Sequence, residues 1–289
     1  MNLLFSINRT FIPLLLNCVN SILKNGGMDE YAAYVLHSDI EREDMAAIQF
    51  AVGKRMKFHF ISVPVNLFEG FPTSRRYPQQ IYYRLAAPLL LPPELERILY
   101  LDVDTIIINS LAELEAMPFG EAYFMACTHV RKTLAKINQA RLGMEQESSY
   151  INSGVMLLNL PLFREHLDLT EISAFANKKK RILFLPDQDI LTALYGDHVK
   201  NCWTACGTIS ATGYRHSITQ NLNGKIWMLN GYEKTVSSSI TAERQSLGKS
   251  ITTVPSAYFI KNWLHSKENQ KCPYPRKRCL IFNLLCNHG

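Results

Sequence analysis

Three runs of strand character alternate with two stretches of helical period in the first 63 residues, and nothing else in the chain restricts its fold as strongly. LLFSI (3–7), AAYVL (32–36) and FHFISV (58–63) are apolar, aromatic or β-branched, whereas 11–24 and 41–52 repeat apolar residues at helical spacing. Strand, helix, strand, helix, strand is the order that builds a parallel sheet with helices on its faces, so the sequence predicts an α/β, Rossmann-like, mostly parallel sheet. Further along, PQQIYYRLAAPLLLPP reads as a helix ended by its proline pair. ERILYLDVDTIII reads as a buried strand running into a polar turn, and YINSGVMLLNL (150–160) as another strand. PDQDILTALYG (186–196) opens with Pro and Asp, which suit a helix N-terminus, and stops at Gly196.

The chain has 289 residues and a formal net charge of +6, enough material for one large core or two modest domains. The charge is unevenly distributed. From Lys200 onward there are twelve Lys or Arg against three Glu and no Asp, while the part before it holds nineteen basic and twenty-two acidic residues. Five of the seven cysteines (Cys202, Cys206, Cys272, Cys279, Cys286) fall in the same tail, without the spacing of a zinc site. An odd cysteine count without such spacing is read as reduced thiols in the cytoplasm. The apolar N-terminus lacks a basic leader and is broken by Asn8 and Arg9, so it is read as strand and helix rather than as a secretory signal. The sequence is expected to be soluble, since no apolar run reaches the roughly 18 residues of a membrane span. The tail, with its TACGTISATG and SSSIT runs, has poor periodicity and reads as an irregular, poorly packed extension.

Chemistry concentrates in RILYLDVDTIII, where two carboxylates interrupt a strand that is otherwise apolar. Strand alternation puts Asp102 and Asp104 on one side of an extended chain. Two like charges beside an apolar core cost several kcal/mol unless a cation neutralises them. Hard oxygen donors of this kind suit Mn²⁺ or Mg²⁺. The carboxyl end of a strand is also where open α/β sheets bind ligands. An Asp pair at a strand end that merely caps a turn is the plainer alternative.

With these residues in view, the sequence resembles glycosyltransferase family eight, the group that includes bacterial lipopolysaccharide galactosyl- and glucosyltransferases and glycogenin. The resemblance rests on IYYRL (81–85), LYLDVDTIIINSL (99–111), YINSGVMLLNL (150–160) and PDQDILTALYGD (186–197), in the family's order and spacing, over residues 1 to about 199. It implies a GT-A type catalytic domain over 1–199 that transfers a hexose, with retention, from a UDP-sugar to a saccharide acceptor such as lipopolysaccharide or another surface glycan. It further implies that Asp102 and Asp104 hold a metal on the donor pyrophosphate, while Val103 and Arg84 contact the donor. Asn152 and Ser153 would line the sugar pocket, and Asp187 would bind sugar hydroxyls. Gln188 matches the position beneath the anomeric carbon. An amide is a poor nucleophile, so the implied mechanism is front-face attack rather than a covalent intermediate. The segment after the first strand departs from the family pattern, because Ser6, Ile7, Asn8, Arg9 and Thr10 stand where acidic residues are usual. Ser6 and Asn8 are the remaining candidates to contact the nucleotide there. No nucleic acid partner is implied, and peripheral association with a membrane is compatible with a surface-glycan acceptor.

The family's last motif, an apolar strand followed by His, an aromatic, Gly and Lys-Pro-Trp, is absent, and with it the third protein ligand of the metal. The genetic code supplies a reason. If the bases behind VSSSITAERQSLGK (Val236 to Lys249) are read one position earlier, VVLHHCGTAKPWE becomes a permitted sequence. The pairs Trp203–Thr204 and Trp227–Met228 each force an Asp in that frame, at family spacing. A frameshift between roughly residues 198 and 203 is therefore expected, making 200–289 an aberrant tail whose basic character says nothing about partners.

Three readings follow. The chain is a metal-dependent transferase, or a catalytically impaired product that at most binds the nucleotide-sugar, or a nucleotidyltransferase. The last should carry a glycine-rich phosphate loop after its first strand, and this chain has none.

Overall fold

A computed structural model describes residues 1–74, 77–107, 109–127, 132–144 and 150–202, together with two strands at 206–210 and 226–230. The remainder of the segment from 203, including the residues of the proposed reading-frame change beyond Cys202, lies outside the described residues.

The alternation read from the sequence is present. Strand β1 (Asn2–Ser6) leads through helix α1 (Ile12–Asn25) to β2 (Tyr31–His37), and α2 (Arg42–Val52) leads to β3 (Met56–Ser62). Helix α1 forms because Ile12, Leu15, Cys18, Val19 and Ile22 recur at helical spacing and bury one stripe against the sheet. Pro13 sits in its first turn, where a missing N–H costs nothing. Helix α2 is started by a reciprocal cap between Glu41 and Asp44, and it ends at Gly53, whose φ of 83° a residue with a Cβ rarely adopts.

After β3 come a 3-10 helix (Gln79–Leu85), a single turn α3 (Ala87–Leu90), β4 (Arg97–Leu101), β5 (Thr105–Ile107) and α4 (Ala112–Ala116). Then follow β6 (Phe124–Cys127), α5 (Lys132–Leu142), β7 (Asn152–Asn159), α6 (Leu160–His166), α7 (Leu169–Lys179), α8 (Pro186–Tyr195) and β8 (Val199–Asn201). Among the described residues seven of these strands, all but β5, make one sheet in the order β3-β2-β1-β4-β7-β6-β8. Strand β7 runs against both of its neighbours, and the other pairings are parallel. The sheet is covered on both faces. One core holds Leu3, Phe5, Leu99 and Leu101 against α1, and the other holds Leu4, Tyr82, Tyr83, Tyr100 and Ile190.

Two expectations need correction. The stretch 78–93 is not one α-helix: it winds as a 3-10 helix to Leu85, breaks at Ala86 and resumes for one turn. Pro88 accounts for the break, because it has no N–H to return to the carbonyl of Arg84. The strand across 96–108 likewise stops at Leu101. The Asp102 N–H still bonds Gly154 O at 2.8 Å, and the Thr105 N–H then closes a turn onto Asp102 O at 3.0 Å. A turn, not the pleat of a strand, therefore brings the two carboxylates near each other.

The chain after that turn joins a second sheet. Strand β5 pairs antiparallel with β10 (Ile226–Asn230), which pairs parallel with β9 (Cys206–Ser210). Two strands of the segment read as an irregular tail are thus placed beside the carboxylate turn. No helix among the described residues is long and apolar enough to cross a membrane.

Candidate functional site

The carboxyl end of β4 gathers side chains from four separated stretches of sequence. Arg84, at the end of the 3-10 helix, is buried and points across the sheet end. Its Nη2 lies 2.9 Å from Asp102 Oδ1, its Nη1 donates to Ser153 O at 3.0 Å, and its Nε sits 3.2 Å from Asp187 Oδ2. That last contact is an ion pair without an aligned hydrogen bond, so Nε is buried with no hydrogen-bond partner. The Tyr100 ring lies under the guanidinium, 4.4 Å from ring centre to carbon, and its hydroxyl donates to Asp102 Oδ1 at 2.8 Å. Ser153 Oγ donates to Asp187 Oδ2 at 3.2 Å, and Ser153 N–H donates to Gln188 Oε1 at 3.2 Å.

Local sequence explains each placement. Tyr100 and Asp102 are two residues apart at a strand end, so they share a side. Asp187 and Gln188 occupy the first turn of α8 because Pro186 starts that helix, and a carboxylate there is favoured by the helix dipole.

The cluster carries excess negative charge. Three carboxylates, Asp102, Asp104 and Asp187, interact with the single guanidinium of Arg84, which leaves a formal charge of −2. Asp104 is exposed at the surface of the turn, yet its carboxyl is pushed up to about 6, first by desolvation from the protein around it and then by repulsion from Asp102, a shift that solvent at the exposed side chain tempers. Asp187 is likewise raised by burial and by Asp102, against the opposing pull of Arg84. Burial lowers the hold of Arg84 on its proton, but Asp102, Tyr100 and Asp187 more than reverse this, and the guanidinium stays cationic.

Of the residues singled out from the sequence, Arg84, Asp102, Ser153, Asp187 and Gln188 are thus joined by direct contacts. Val103 is buried in the turn between the two aspartates. Asn152 turns its Oδ1 back to the Gly154 N–H at 2.9 Å. Ser6 donates to Gln80 O at 2.8 Å, and Asn8 caps the short 3-10 helix at Arg9–Phe11 by accepting from Thr10 N–H at 3.0 Å. Ser6 and Asn8 lie beyond the last β1 pairing with β4, Leu4 opposite Tyr100, and these hydrogen bonds run to Gln80 and Thr10 rather than to Arg84.

Sequence reasoning did not single out Tyr100, Tyr150, Arg141 or Asp189. Tyr100 was legible as the residue two before Asp102. Tyr150 opens the YINSGVMLLNL motif and Asp189 lies within PDQDILTALYGD, but neither was given a role, and Arg141 carried no signal, because the three meet only through the packing of α5 and the β7 approach against α8.

Among the described residues no group of three His, Cys, Asp or Glu is arranged to enclose a metal. Asp102 and Asp104 still offer hard oxygen donors in a negative pocket. Cations of the Mg²⁺ type are commonly held by one or two carboxylates plus substrate phosphates rather than by an all-protein cage. The residues present fit that arrangement.

The family model "Glycosyl transferase family 8" matches residues 2–223. Lipopolysaccharide 1,2-glucosyltransferase of Escherichia coli is 28% identical over 189 residues, a match covering 63% of this chain and 55% of that protein. Glycosyltransferase GlyF of Streptococcus pneumoniae serotype 4 is 24% identical over 196 residues, covering 66% of this chain and 44% of that protein. The chain therefore spans about half the length of these curated relatives. The crystal structure of galactosyltransferase LgtC, solved with donor and acceptor sugar analogues, aligns with a TM-score of 0.71 at 22% identity. That alignment covers 90% of this chain and 99% of LgtC.

Proposed function

The chain belongs to glycosyl transferase family 8, and from that premise we propose that it is a retaining, metal-dependent hexosyltransferase acting from a UDP-sugar onto a saccharide acceptor. The observation that carries this reading is the charge-imbalanced cluster of Arg84 with Asp102, Asp104 and Asp187 at the carboxyl end of β4, with Gln188 beside it. A net charge of −2 would repel a bare pyrophosphate, so donor binding through this end requires a divalent cation, Mn²⁺ or Mg²⁺, between protein and donor. Asp104 and the oxygen of Asp102 not engaged by Arg84 and Tyr100 would hold it. When bound, the cation neutralises charge developing on the departing UDP.

The protein's own groups do the rest. Arg84 fixes Asp102 and Asp187 in place and supplies a permanent positive charge at the sheet end. Asp187, Ser153 and Asn152 border the sugar and offer acceptors and donors for its hydroxyls, and Val103 with the Ser6–Asn8 segment borders the nucleotide side. Gln188 presents an amide and no carboxylate. The acceptor hydroxyl therefore attacks the anomeric carbon from the side on which UDP leaves, passing its proton to the departing phosphate, and configuration is retained. The names of the relatives support lipopolysaccharide or another surface glycan as acceptor. The reading includes a cytoplasmic protein drawing on nucleotide-sugar and touching a membrane peripherally. The run Lys178, Lys179, Lys180 and Arg181, beside the exposed Phe184 and Leu185, supports such contact.

Incubation with UDP-hexose, Mn²⁺ and an acceptor glycan should release UDP and give an α-linked product from an α-linked donor. Release of pyrophosphate, or a β-linked product by NMR, would overturn the assignment.

The missing His and Lys-Pro-Trp pattern favours a second reading, in which this chain is an impaired form whose frame changes near residues 198–203. Restoring the frame near codon 201 should raise transfer by about a thousandfold through recovery of groups that stabilise the leaving UDP. Equal turnover by both forms would remove the frameshift argument.

A further inference from the structure

We infer that Tyr100 is a positioning residue that keeps Asp102 from closing with both oxygens on Arg84 and so leaves one of them for a cation, the cation itself resting on the function proposed above. Asp102 stands just beyond the end of β4, and its side chain is 29% exposed. Tyr100 is the opposite case. It lies inside β4, paired with Leu4 of β1 on one side and Met156 of β7 on the other, and is 1% exposed. A ring fixed in this way cannot follow a carboxylate on a turn, so the tyrosine dictates the geometry of the bond between them. Its hydroxyl donates to Asp102 Oδ1 at 2.8 Å, and Arg84 Nη2 donates to the same oxygen at 2.9 Å. Two donors occupy both lone pairs of that oxygen, and Oδ2 is left outside these contacts.

The arrangement runs against the ordinary preference of an arginine, whose planar fork takes a carboxylate through two parallel N–H groups, one to each oxygen. Nε and Nη2 of Arg84 form such a fork on one edge of the guanidinium. Asp102 nevertheless takes only Nη2, while Nε is buried without a hydrogen-bond partner, 3.2 Å from Asp187 Oδ2. By holding Oδ1, the Tyr100 hydroxyl stops the carboxylate from rolling until Oδ2 meets Nε. Without it Asp102 is free to close on the fork, which withdraws the open oxygen from a cation. Partners behind a metal ligand orient it in this way, and their loss typically weakens metal binding about 10- to 100-fold. Tyr100→Phe keeps the ring and the face that lies 4.4 Å under the guanidinium, so packing is preserved and only the hydroxyl is removed.

The test measures Mn²⁺ affinity in the presence of UDP, from the electron paramagnetic resonance signal of free Mn²⁺, in the wild type, Tyr100→Phe, Asp102→Asn and the double variant. Tyr100→Phe should weaken Mn²⁺ binding about tenfold. The double variant should bind no more weakly than Asp102→Asn alone, since a residue that acts through Asp102 has nothing left to act on. Unchanged affinity in Tyr100→Phe, or losses that multiply in the double variant, would overturn the assignment. Should the wild type bind no Mn²⁺, the metal reading above fails, and the hold of Tyr100 on Asp102 is decided separately by NMR of metal-free protein. The Arg84 Nε–H peak, assigned through its own side-chain carbons, should move downfield in Tyr100→Phe as Asp102 closes onto Nε and gives it a hydrogen bond. A peak that stays in place would refute the positioning role.

Discussion

Asp187 and Asp189 sit two residues apart in the first turn of α8, both buried and both paired with an arginine, yet the two clusters around them are built to different ends. Asp189 takes both terminal nitrogens of Arg141, a phenol and two backbone N–H groups, which fills its acceptor capacity. Asp187 shares one arginine with Asp102 in a site of excess negative charge, contacts a misaligned Nε, and has its carboxyl raised by burial. A saturated carboxylate leaves no acceptor capacity for a ligand and serves to hold α8 against α5. An under-compensated one stores electrostatic cost that a bound cation and donor would relieve.

The difference can be broken by substitution. The largest effect is expected at the under-compensated cluster: Asp102→Asn in the frame-restored chain should lower transfer by about a thousandfold while leaving the melting temperature nearly unchanged. A loss of less than about tenfold in coupled UDP-release assays would place the donor elsewhere. Next in size is the contrast in stability. Asp189→Asn removes one partner of a buried, satisfied pair and should cost about 3–5 kcal/mol in urea unfolding. Asp187→Asn should shift it by less than about 1 kcal/mol, because the lost attraction to Arg84 is offset by relief of repulsion from Asp102. Equal costs for the two would erase the distinction.

The smallest effect is in pH dependence without metal. The Asp104 carboxyl is raised from 3.8 to about 6 in the folded protein, so the folded state holds this proton more tightly than the unfolded chain. Its contribution to stability is therefore complete below about pH 4 and is lost as pH rises through about 6. With chelator present, Asp104→Asn should melt up to about 3 °C above the wild type at about pH 7.5 and level with it at about pH 4. An equal difference at both values would show that Asp104 carries no such strain.

Much of the fold was legible because hydrophobic period is a local property: the β1-α1-β2-α2-β3 start and α8 stand where their patterns put them. The long helix expected across 78–93, ended by Pro92 and Pro93, breaks earlier, because Pro88 has no N–H to return to the Arg84 carbonyl. The carboxylate pair was found by an argument from strand alternation that does not describe it, since a turn after Leu101 brings Asp102 and Asp104 together. Of the site, Arg84, Asp102, Ser153, Asp187 and Gln188 were visible through motif residues. That Asp189 and Tyr150, themselves motif residues, join Arg141 in one unit was not visible, because the three lie on α8, the start of the β7 segment and α5 and touch only after folding.

The proposed transfer depends on a cation held between the donor and the carboxylates of Asp102 and Asp104. Calorimetric titration of the chain with a UDP-sugar, in Mn²⁺ and again in excess chelator, tests it most directly, with Asp104→Asn run alongside. Tight binding in Mn²⁺ that falls at least about tenfold with chelator, and an Asp104→Asn protein that binds weakly in both, is the predicted result. Equal affinity with and without metal, or a variant indistinguishable from the wild type, would contradict it.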